Sequence, residues 1–563
     1  MWTSRSDLQE EIDAVNVLLL GGYGVFGGRL ARLLVRDGHS VTIAGRDLKA
    51  ASALAAELGC SALRMDRQGD LRELSGHQLV IDAAGPFHAY GDDPYRLARA
   101  AIEAGLHYLD LSDNPVFCAD IVALDAQARA AGLCVLSGLS SVPALSSAAV
   151  HALAGDRVPR VIDTAILPGN RSPRGLSVMQ SILSQSGQPM QVWRGGSWTR
   201  TTGWSDPQDY RLPGGACRQA WQIDVPDLTL FPAHFKAETV LFRAGLELAV
   251  MRYGLAAFAA LRRLVPIPVT RCVVRAFKLA ADLLGPFGSG RGGMSVMVIT
   301  GDEKRFWRLL AEDGDGPFIP AIAARALLRR EVLPAGAGPA LAVVTLEECE
   351  AAMSDLNVRT ERVSERFEPI FVKVLNSSFA KLPEAIQTTH LTADVSRWQG
   401  RATVERGTGF WSRFLGHLFG FPEATEDTIV EVTKFVIPTG EIWKRSFGLR
   451  TFKSKLRATR TGMTERFGPF TFLLGLEVRA SALHYPVISG RLGPVPLPKW
   501  LLPISEASEY VVDGRFHFDV KLFAPITRER LVHYRGTLVA APQGNGHHND
   551  CRVPAMPDVT TLT

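Results

Sequence analysis

VNVLLLGGYGVFGGRLARLL, from Val15 to Leu34, is the stretch that decides the fold. Val15 to Leu20 is a short apolar run with the length of a buried parallel strand, and apolar residues return at helical spacing from Arg29. Between these two segments the glycines follow the G-x-G-x-x-G arrangement of dinucleotide-binding proteins. The stretch therefore predicts a strand, a glycine turn and a helix that together bind a dinucleotide.

Each glycine of this turn has a separate predicted role. Gly22 permits the tight turn, Gly24 lets the backbone approach a pyrophosphate, and Gly27 lets the helix pack closely on the strand. The N–H groups at the start of the helix then bind phosphate. The alternative is a Rossmann-like domain that has lost its cofactor.

The second predicted strand ends without the acidic side chain that would accept the ribose hydroxyls of NAD. The strand Val41 to Ala44 is followed two residues later by Arg46. An arginine offers a permanently charged fork to a 2′-phosphate, and a charge-assisted hydrogen bond is worth roughly 1.5–3 kcal/mol. Arg46 therefore favours NADP(H), by about one to two decades of affinity. The alternative is an ordinary solvated arginine at a helix start.

The size and composition of the chain narrow the class of protein. Its 563 residues predict two or three domains, and 46% hydrophobic with 21% charged residues is typical of packed globular protein. The net charge of +5 is too small and too dispersed to indicate nucleic acid binding. Seven cysteines without a C-x-x-C pair predict neither disulfides nor zinc, so we expect no metal site and a reducing cytoplasm.

Helices and strands alternate over the first 150 residues. This alternation predicts an α/β fold with a doubly wound, mostly parallel sheet of Rossmann type. Asp66 follows the third predicted strand, where it can approach an adenine, and Gly85-Pro86 follows the fourth, near the nicotinamide ribose. The six predicted strands are Val15–Leu20, Val41–Ala44, Ala62–Met65, Leu79–Ala84, His107–Leu111 and Cys134–Ser137.

Several motifs in this part resemble the NADP-binding domain of the saccharopine dehydrogenase-like oxidoreductases. They are GGYGVFGGRLARLL, VTIAGRD, VIDAAGPFHAYG, AGLHYLDLSD and SGLSSVPALSS, and the stretch from Gly293 resembles the later, substrate-side part of the same family. The family's reactions include imine reduction and enoyl reduction in lipid assembly, so the resemblance defines the cofactor better than the substrate. The cofactor contacts that it implies are Gly22, Tyr23, Gly24, Val25, Phe26, Gly27, Arg46, Asp66, Gly85 and Pro86.

A hydride transfer often needs a proton donor close to the nicotinamide. His88 directly follows the Gly-Pro turn and is the first candidate, while Tyr108 and Asp110 alternate along the fifth predicted strand. For each of the three the alternative is a structural role, as a loop histidine or as a partner of backbone groups. The other polar residues near these strand ends are Tyr90, Ser140 and Ser141, of which the serines suit binding of substrate polar groups.

Residues 151–358 are predicted to form an α+β region on the substrate side. Between Phe235 and Gly288 two helices are expected, broken at Pro266 and Pro268, and no apolar run there reaches the roughly 18–20 residues of a membrane span. One interpretation is core or subunit-interface helices, which allows a homodimer. The other is a peripheral anchor at the inner face of the membrane, with Leu246, Val250, Leu255 and Phe258 at the acyl boundary.

From residue 359 to 541 the pattern predicts an antiparallel, β-rich domain. Thr439-Gly440 and Asp513-Gly514 are two-residue turn signals between strand-like runs such as Ile429 to Ile437, Phe470 to Ala480 and Arg515 to Phe523. Stretches such as VERGTGFWSRFLGHLFGFP resemble an uncharacterised bacterial domain, over about Pro369 to Val539, which implies no catalytic role. A set of polar and aromatic residues here suits either a pocket or a sheet surface: His390, Trp443, Arg445, Glu465, His517, His533 and Tyr534.

The tail, residues 542–563, is predicted to be disordered and includes His547-His548. The whole sequence thus predicts an NADP(H)-dependent oxidoreductase that reduces a C=C, C=O or C=N group of a small, apolar or lipid-like substrate. The alternative is a non-catalytic NADP(H)-binding protein whose β domain binds a lipid or a protein partner.

Overall fold

The computed structural model describes residues 14–173 and 175–542. Within these residues the chain forms three sheets, of seven, nine and thirteen strands. The predicted disordered tail, with His547-His548, lies outside the described residues apart from Pro542. The predicted class, an α/β fold of Rossmann type followed by an antiparallel β-rich part, is confirmed.

The first sheet is parallel throughout, as the alternation of helices and strands predicts. Its last strand, Gly336–Pro339, comes from a distant part of the chain and pairs with Cys134–Ser137. In spatial order its strands are Gly336–Pro339, Cys134–Ser137, His107–Asp110, Leu79–Asp82, Asn16–Leu20, Ser40–Gly45 and Ser61–Arg64.

Helices cover both faces of this sheet, and two local signals show why they begin and end where they do. The Asp47 carboxylate accepts a hydrogen bond from the Ala50 N–H at the start of one helix, and Gly59 ends that helix in the left-handed region. The α-helices are Gly27–Arg36, Leu48–Leu58, Arg96–Glu103, Pro115–Asp120, Asp125–Ala131 and Ser146–Ala154; shorter 3₁₀ turns are Arg72–Leu74, Phe87–Ala89 and Ile121–Leu124, and a π-turn spans Ser141–Leu145.

The second sheet is mixed and shares one apolar core with one face of the first. The strand Val358–Arg366 belongs to it and runs past the predicted domain boundary at residue 358. Its strands are Val161–Leu167, Pro189–Trp193, Trp198–Thr202, Gln208–Arg211, Cys217–Gln222, Thr239–Gly245, Gly292–Thr300, Glu303–Ala311 and Val358–Arg366. Its helices are Leu176–Gln185, Pro226–Phe235, Ala249–Leu264, Arg271–Leu283, Ile322–Leu328 and Leu346–Ala352, with 3₁₀ turns at Gly285–Phe287 and Gly316–Ala321.

The helix pair Ala249–Leu264 and Arg271–Leu283 is interrupted at the two predicted prolines. The membrane interpretation placed Leu255 and Phe258 on the outer face of these helices, and for both residues this is wrong. Leu255 is buried, and Phe258 packs on Phe277 with ring centroids 5.0 Å apart. Tertiary packing, which a single sequence does not show, decides which side of a helix turns inward. No helix of the described residues has the length and apolarity to cross a membrane.

The third sheet is antiparallel and curves around its own apolar core. Asp513-Gly514 forms the expected turn, with both residues at positive φ, and Phe516 and Phe518 point inward. Its strands are Val395–Arg406, Thr425–Ile437, Gly440–Phe447, Arg450–Thr459, Gly462–Phe467, Phe470–Leu474, Glu477–Arg479, Ala482–His484, Val487–Leu492, Val495–Leu497, Ile504–Val512, Arg515–Phe523 and Arg530–Ala540. Its helices are Ile370–Leu375, Glu384–His390 and Phe410–Phe419, with 3₁₀ turns at Asn376–Lys381 and Lys499–Leu501.

Candidate cofactor site and C-terminal cavity

The glycine turn joins the strand Asn16–Leu20 to the helix Gly27–Arg36. Gly21 takes the positive φ of 74°, and a Cβ on Gly22 would lie 2.9 Å from the Leu19 oxygen, so the tight turn depends on both glycines, of which the motif predicted Gly22. A Cβ on Gly27 would lie 2.4 Å from the Gly21 oxygen, which confirms the close packing expected there. Gly24 is exposed, and its Cβ would approach only that same oxygen, at 3.1 Å. The turn thus leaves the backbone of Gly24 exposed, at the position where the motif predicts a pyrophosphate.

A pocket beside this turn is lined by Tyr23, Arg46, Asp47, Leu48 and Arg64. The Tyr23 ring lies against Gly45, where a Cβ would come within 2.3 Å of it, and the Tyr23 hydroxyl accepts a hydrogen bond of 3.2 Å from the Asp47 N–H. Two permanently charged guanidinium groups therefore share one exposed pocket at the carboxyl ends of neighbouring strands. These residues fit the 2′-phosphate of NADP(H).

Sequence reasoning identified Arg46 in this pocket and missed Arg64. Arg64 is the last residue of the strand Ser61–Arg64, which pairs with the strand that Arg46 follows. The rule that selected Arg46, that ligands bind beyond the carboxyl ends of parallel strands, applies equally to Arg64. The signal was therefore present in the sequence.

The other predicted cofactor contacts lie along the same edge of the sheet. Asp66 is exposed, and its carboxylate accepts a hydrogen bond of 3.0 Å from the Gln68 N–H. Gly85 and Pro86 are half-buried directly after the strand Leu79–Asp82. Two more residues, Val25 and Phe26, are half-buried at the helix start, where the Val25 carbonyl accepts a hydrogen bond from Arg29. Their contact with a cofactor stays a prediction.

The three candidate catalytic residues lie in very different environments. His88 is exposed in the short turn Phe87–Ala89, whereas Tyr108 and Asp110 are fully buried in the sheet. The Asp110 carboxylate accepts hydrogen bonds from the Ser112 N–H at 2.9 Å, the Ser137 hydroxyl at 2.8 Å and the Gly138 N–H at 2.9 Å. Asp110 thus ties two strand ends together, and the catalytic role of all three residues stays a prediction.

The predicted substrate contacts after the sixth strand also differ in exposure. Ser141 is buried and Ser140 is half-buried, at the turn that leads into the helix Ser146–Ala154. Burial leaves Ser140 the more accessible of the two hydroxyls. Contact of either serine with a substrate stays a prediction.

Asp82 stands beside Asp110 in the parallel register and was not selected from the sequence. Burial raises the pKa of Asp110 to about 7, although its backbone hydrogen bonds oppose this, and the charge of Asp82 adds to the rise. Burial likewise raises the pKa of Asp82 to about 6, against the lowering effect of Arg67. A pair of carboxyl groups at the nicotinamide end of the sheet therefore holds a proton near neutral pH.

Arg67 and Tyr90 complete this buried cluster. The Tyr90 hydroxyl lies 3.2 Å from one Asp82 oxygen, and Arg67 Nη1 lies 3.5 Å from the same oxygen. The Tyr90 ring also packs on Phe87, with centroids 4.9 Å apart. The polar ends of Arg67, Tyr90 and Asp82 thus meet in one cluster, and the buried rings of Phe87 and Tyr90 pack beside it.

The third sheet encloses a second feature, a cavity of about 520 Å³. Trp443, Arg445, Glu465 and Tyr534 line it, so for these four residues the pocket interpretation is correct. The three histidines of the same predicted set are not among the described lining residues: His390 bonds to Glu509 behind the wall, His533 bonds to Asp519, and His517 stacks on Tyr510.

The strand Val161–Leu167 links the surroundings of the two sites. At its start Val161 packs against Ala393, in the segment that leads into the third sheet. The loop that follows its end brings Gly175 next to Val25 of the glycine turn. The cavity and the cofactor pocket share no lining residue, so they are separate sites.

Two family models match parts of the chain. Residues 17–136 match the model described as saccharopine dehydrogenase NADP binding domain, and residues 382–538 match a model described as domain of unknown function (DUF4166). No curated protein matches the chain.

Solved structures resemble the chain in fold only. Apo saccharopine dehydrogenase (L-Glu forming) from Saccharomyces cerevisiae is 16% identical, with a TM-score of 0.41, over 62% of this chain and 100% of that one. UDP-N-acetylglucosamine 3-dehydrogenase from Acidithiobacillus ferrooxidans is 14% identical, with a TM-score of 0.28, over 61% of this chain and 96% of that one.

The N-terminal match and the glycine turn together support an NAD(P)-dependent oxidoreductase. The chain carries a saccharopine dehydrogenase NADP-binding domain at its N-terminus and a domain of unknown function near its C-terminus. The resemblance predicted from the motifs is thereby confirmed.

Proposed function

We propose that this protein is an NADP(H)-dependent oxidoreductase that reduces a C=C, C=O or C=N bond of an apolar substrate. The observation that supports it best is the pocket in which Arg46 and Arg64 flank the Tyr23 ring beside the glycine turn. NADP(H) carries a 2′-phosphate on its adenosine ribose, which can accept charge-assisted hydrogen bonds from these two arginines. NAD(H) lacks this 2′-phosphate.

NADP(H), when bound, supplies the hydride. The glycine turn holds its pyrophosphate at Gly24, and the Gly85-Pro86 turn borders the nicotinamide end. His88 is the exposed candidate at this turn, so a substrate can reach it to take a proton. Asp110 acts differently, because its buried carboxylate holds the Ser137–Gly138 strand end in place.

The surroundings of the Gly85-Pro86 turn are apolar. Phe87, Tyr90 and Phe117 form a buried aromatic cluster directly after it, with the Phe87 and Phe117 centroids 5.2 Å apart, and so support the turn from inside the domain. The apolar character of the substrate is proposed from the C-terminal part of the chain, whose cavity has an aromatic and aliphatic lining.

The test is oxidation of NADPH by the full chain in the presence of a cell lipid extract and of purified long-chain aldehydes, enones and imines. We expect loss of NADPH absorbance with at least one apolar compound and a slower reaction with NADH. Gly24→Val, which blocks the pyrophosphate, serves as the matched inactive control. Turnover that persists in a Gly24→Val sample that no longer binds NADPH would show that the activity comes from a contaminant.

A second candidate is a non-catalytic NADP(H)-binding protein whose β domain binds a lipid. The separation of the cavity from the cofactor pocket favours it, because no residue lines both. Tight NADPH binding without turnover of any compound in the panel would support this candidate over the first.

A further inference from the structure

The cavity of the third sheet has the shape and lining of a lipid-binding site. Its volume of about 520 Å³ lies within the usual range for small-molecule pockets. If a methylene group is taken as similar in size to a water molecule, at about 30 Å³ each, this volume accommodates about 17 non-hydrogen atoms, so an 18-carbon alcohol fills it with the end of its chain at the opening. The apolar lining includes Phe447, Phe452, Leu456, Met463, Phe472 and Phe518.

One end of the cavity is polar and centres on Lys434. Its Nζ donates a hydrogen bond of 2.6 Å to the Thr389 carbonyl, lies 3.4 Å from His390 Nδ1, and stands 4.0 Å from the centroid of the Trp443 ring. An ammonium group has three donors. Lys434 lines the cavity but is only 1% exposed, so an oxygen atom of a ligand would accept its third N–H in competition with the Trp443 ring.

The charges at this end balance. Among the described lining residues the charged side chains are Lys434, Arg445, Glu465 and Glu509, two of each sign. Arg445 Nη2 lies 3.1 Å from Glu465 Oε1, and the charge of Lys434 acts on Glu509. A charged ligand group placed here would add a buried charge without a partner, which costs several kcal/mol.

Two side chains behind the Lys434 end of the cavity, His390 and Glu441, leave this charge balance unchanged. His390 bonds through Nε2 to Glu509 Oε2 at 2.5 Å, and burial lowers the pKa of His390 to about 4, so its imidazole is neutral at pH 7. Glu441 accepts a hydrogen bond of 2.7 Å from the Trp443 indole and so already has a partner; burial raises its pKa, and the charge of Lys434 opposes this. Neither group gives a charged ligand a partner.

The apolar side of the cavity opens beside the helix Phe410–Phe419. This helix contributes Trp411 and Leu415 to the lining, while Phe410, Trp411 and Phe414 are exposed to solvent. Ile526 lines the opposite rim and is 71% exposed. Exposed aromatic and aliphatic side chains around an opening suit the entry of an apolar chain.

We propose that this cavity binds a single-chain lipid with an uncharged polar end, held with that end at Lys434 and its chain towards the helix Phe410–Phe419. A long-chain alcohol, aldehyde or amide has this chemistry. The site is separate from the cofactor site and does not depend on the reductase activity proposed above.

The first experiment compares three ligands of equal chain length on the full protein. Binding of radiolabelled oleyl alcohol, oleate and oleylamine is measured by equilibrium dialysis below their aggregation concentrations. We expect oleyl alcohol to bind at least about tenfold more tightly than either charged ligand. Equal or tighter binding of oleate or oleylamine would overturn the proposal, and so would no binding of oleyl alcohol.

The second experiment changes the cavity. Met463→Trp fills the apolar part and should weaken oleyl alcohol binding at least about tenfold. Leu449→Trp is the matched control, because Leu449 is fully exposed in the turn after Gly440–Phe447, and it should bind as the parent does. Unchanged binding by Met463→Trp would overturn the proposed location.

A third variant tests the charge balance. Lys434→Met removes one cation and leaves Glu509 in excess, so the preference should shift at least about tenfold towards oleylamine. Near-ultraviolet circular dichroism checks the fold of each variant, and Met463→Trp decides the matter if Lys434→Met does not fold. NADPH affinity, measured on the same samples, should not change, so failure of the lipid site and failure of the cofactor site give different results.

Discussion

Arg46 and Arg64 together should determine which cofactor this protein prefers. We expect Arg46→Ala and Arg64→Ala each to lower NADPH affinity by about tenfold or more, because each loses a charge-assisted hydrogen bond worth roughly 1.5–3 kcal/mol. NADH affinity should stay nearly constant, and Arg46→Asp should reverse the preference. Fluorescence titration with both cofactors measures the ratio.

Arg72→Ala is the control for this pair, because Arg72 is an exposed arginine of the same sheet region that lies outside the pocket. It should leave both affinities unchanged. Equal NADPH and NADH affinities in the parent protein would remove the basis for assigning a phosphate to this pocket.

Asp110 should make the protein less stable as the pH rises. Its pKa is about 7 in the folded protein and about 4 when unfolded, so the folded state binds more protons between these values. The stability that its neutral form provides is complete below pH 4 and is lost as the pH passes 7. We therefore expect Asp110→Asn to lower Tm less at pH 8 than at pH 5, by an equivalent of about 1–3 kcal/mol.

Asp70→Asn provides the comparison, since Asp70 is exposed and its hydrogen bond with Arg72 lowers its pKa. Its effect on Tm should not show the same pH trend. Thermal unfolding followed by circular dichroism at the two pH values measures all three proteins. If Asp110→Asn lowered Tm more at pH 8 than at pH 5, the folded protein would stabilise the charged carboxylate of Asp110 instead of its neutral form.

At the scale of elements, two glycines of the same turn should have different roles, one in NADPH binding and the other in the stability of the fold. Gly24→Val should abolish detectable NADPH binding with little change in Tm, because its side chain points to the open side of the turn. Gly27→Val should instead destabilise the fold by about 1–3 kcal/mol, since its Cβ would lie 2.4 Å from the Gly21 oxygen. NADPH titration and thermal unfolding of both variants measure the two effects. Retained affinity in Gly24→Val would mean that the turn has only a structural role.

The helix pair Ala249–Leu264 and Arg271–Leu283 presents a second element for testing. We propose that it binds an anionic membrane surface through exposed residues such as Val250 and Leu264, the latter 83% exposed. The full chain should float with anionic liposomes at low salt, less so at high salt, and Leu264→Asp should reduce flotation. Leu449→Asp is the control at an exposed leucine of the third sheet. Flotation unaffected by Leu264→Asp would exclude this surface as the contact.

The elements that local signals specify were predictable, and those that depend on distant partners were not. The strand Cys134–Ser137 and the Asp513-Gly514 turn have their predicted positions, because apolar runs and turn residues determine them locally. The predicted strand from Phe470 to Ala480 is wrong as one strand: it ends at Leu474, and Ala480 takes a positive φ. Gly336–Pro339 carried no strand signal, since its pairing with Cys134–Ser137 supplies the reason it is extended.

The whole molecule explains why the cavity could not be predicted. Lys434 and Glu509 are 75 positions apart in the sequence, and only the curvature of the third sheet brings them into one lining. Alternation showed which side of each strand is apolar but not whether those sides would fill a core or enclose a space. From the sequence alone, Trp443 and Arg445 could therefore belong either to a pocket or to the surface of the sheet.

The separation of the two sites leads to a last prediction, that NADPH and a neutral lipid bind independently. The two sites share no lining residue, and allosteric coupling, where it exists, is commonly 5- to 150-fold in affinity. We expect saturating oleyl alcohol to change the Kd of NADPH by less than about twofold. A larger shift would indicate coupling through the bidentate Arg194–Asp394 pair, whose contacts of 2.8 and 2.7 Å join the second sheet to the start of the third. If this pair carries the coupling, Asp394→Ala should abolish the shift, and a shift that persists in Asp394→Ala would exclude this route.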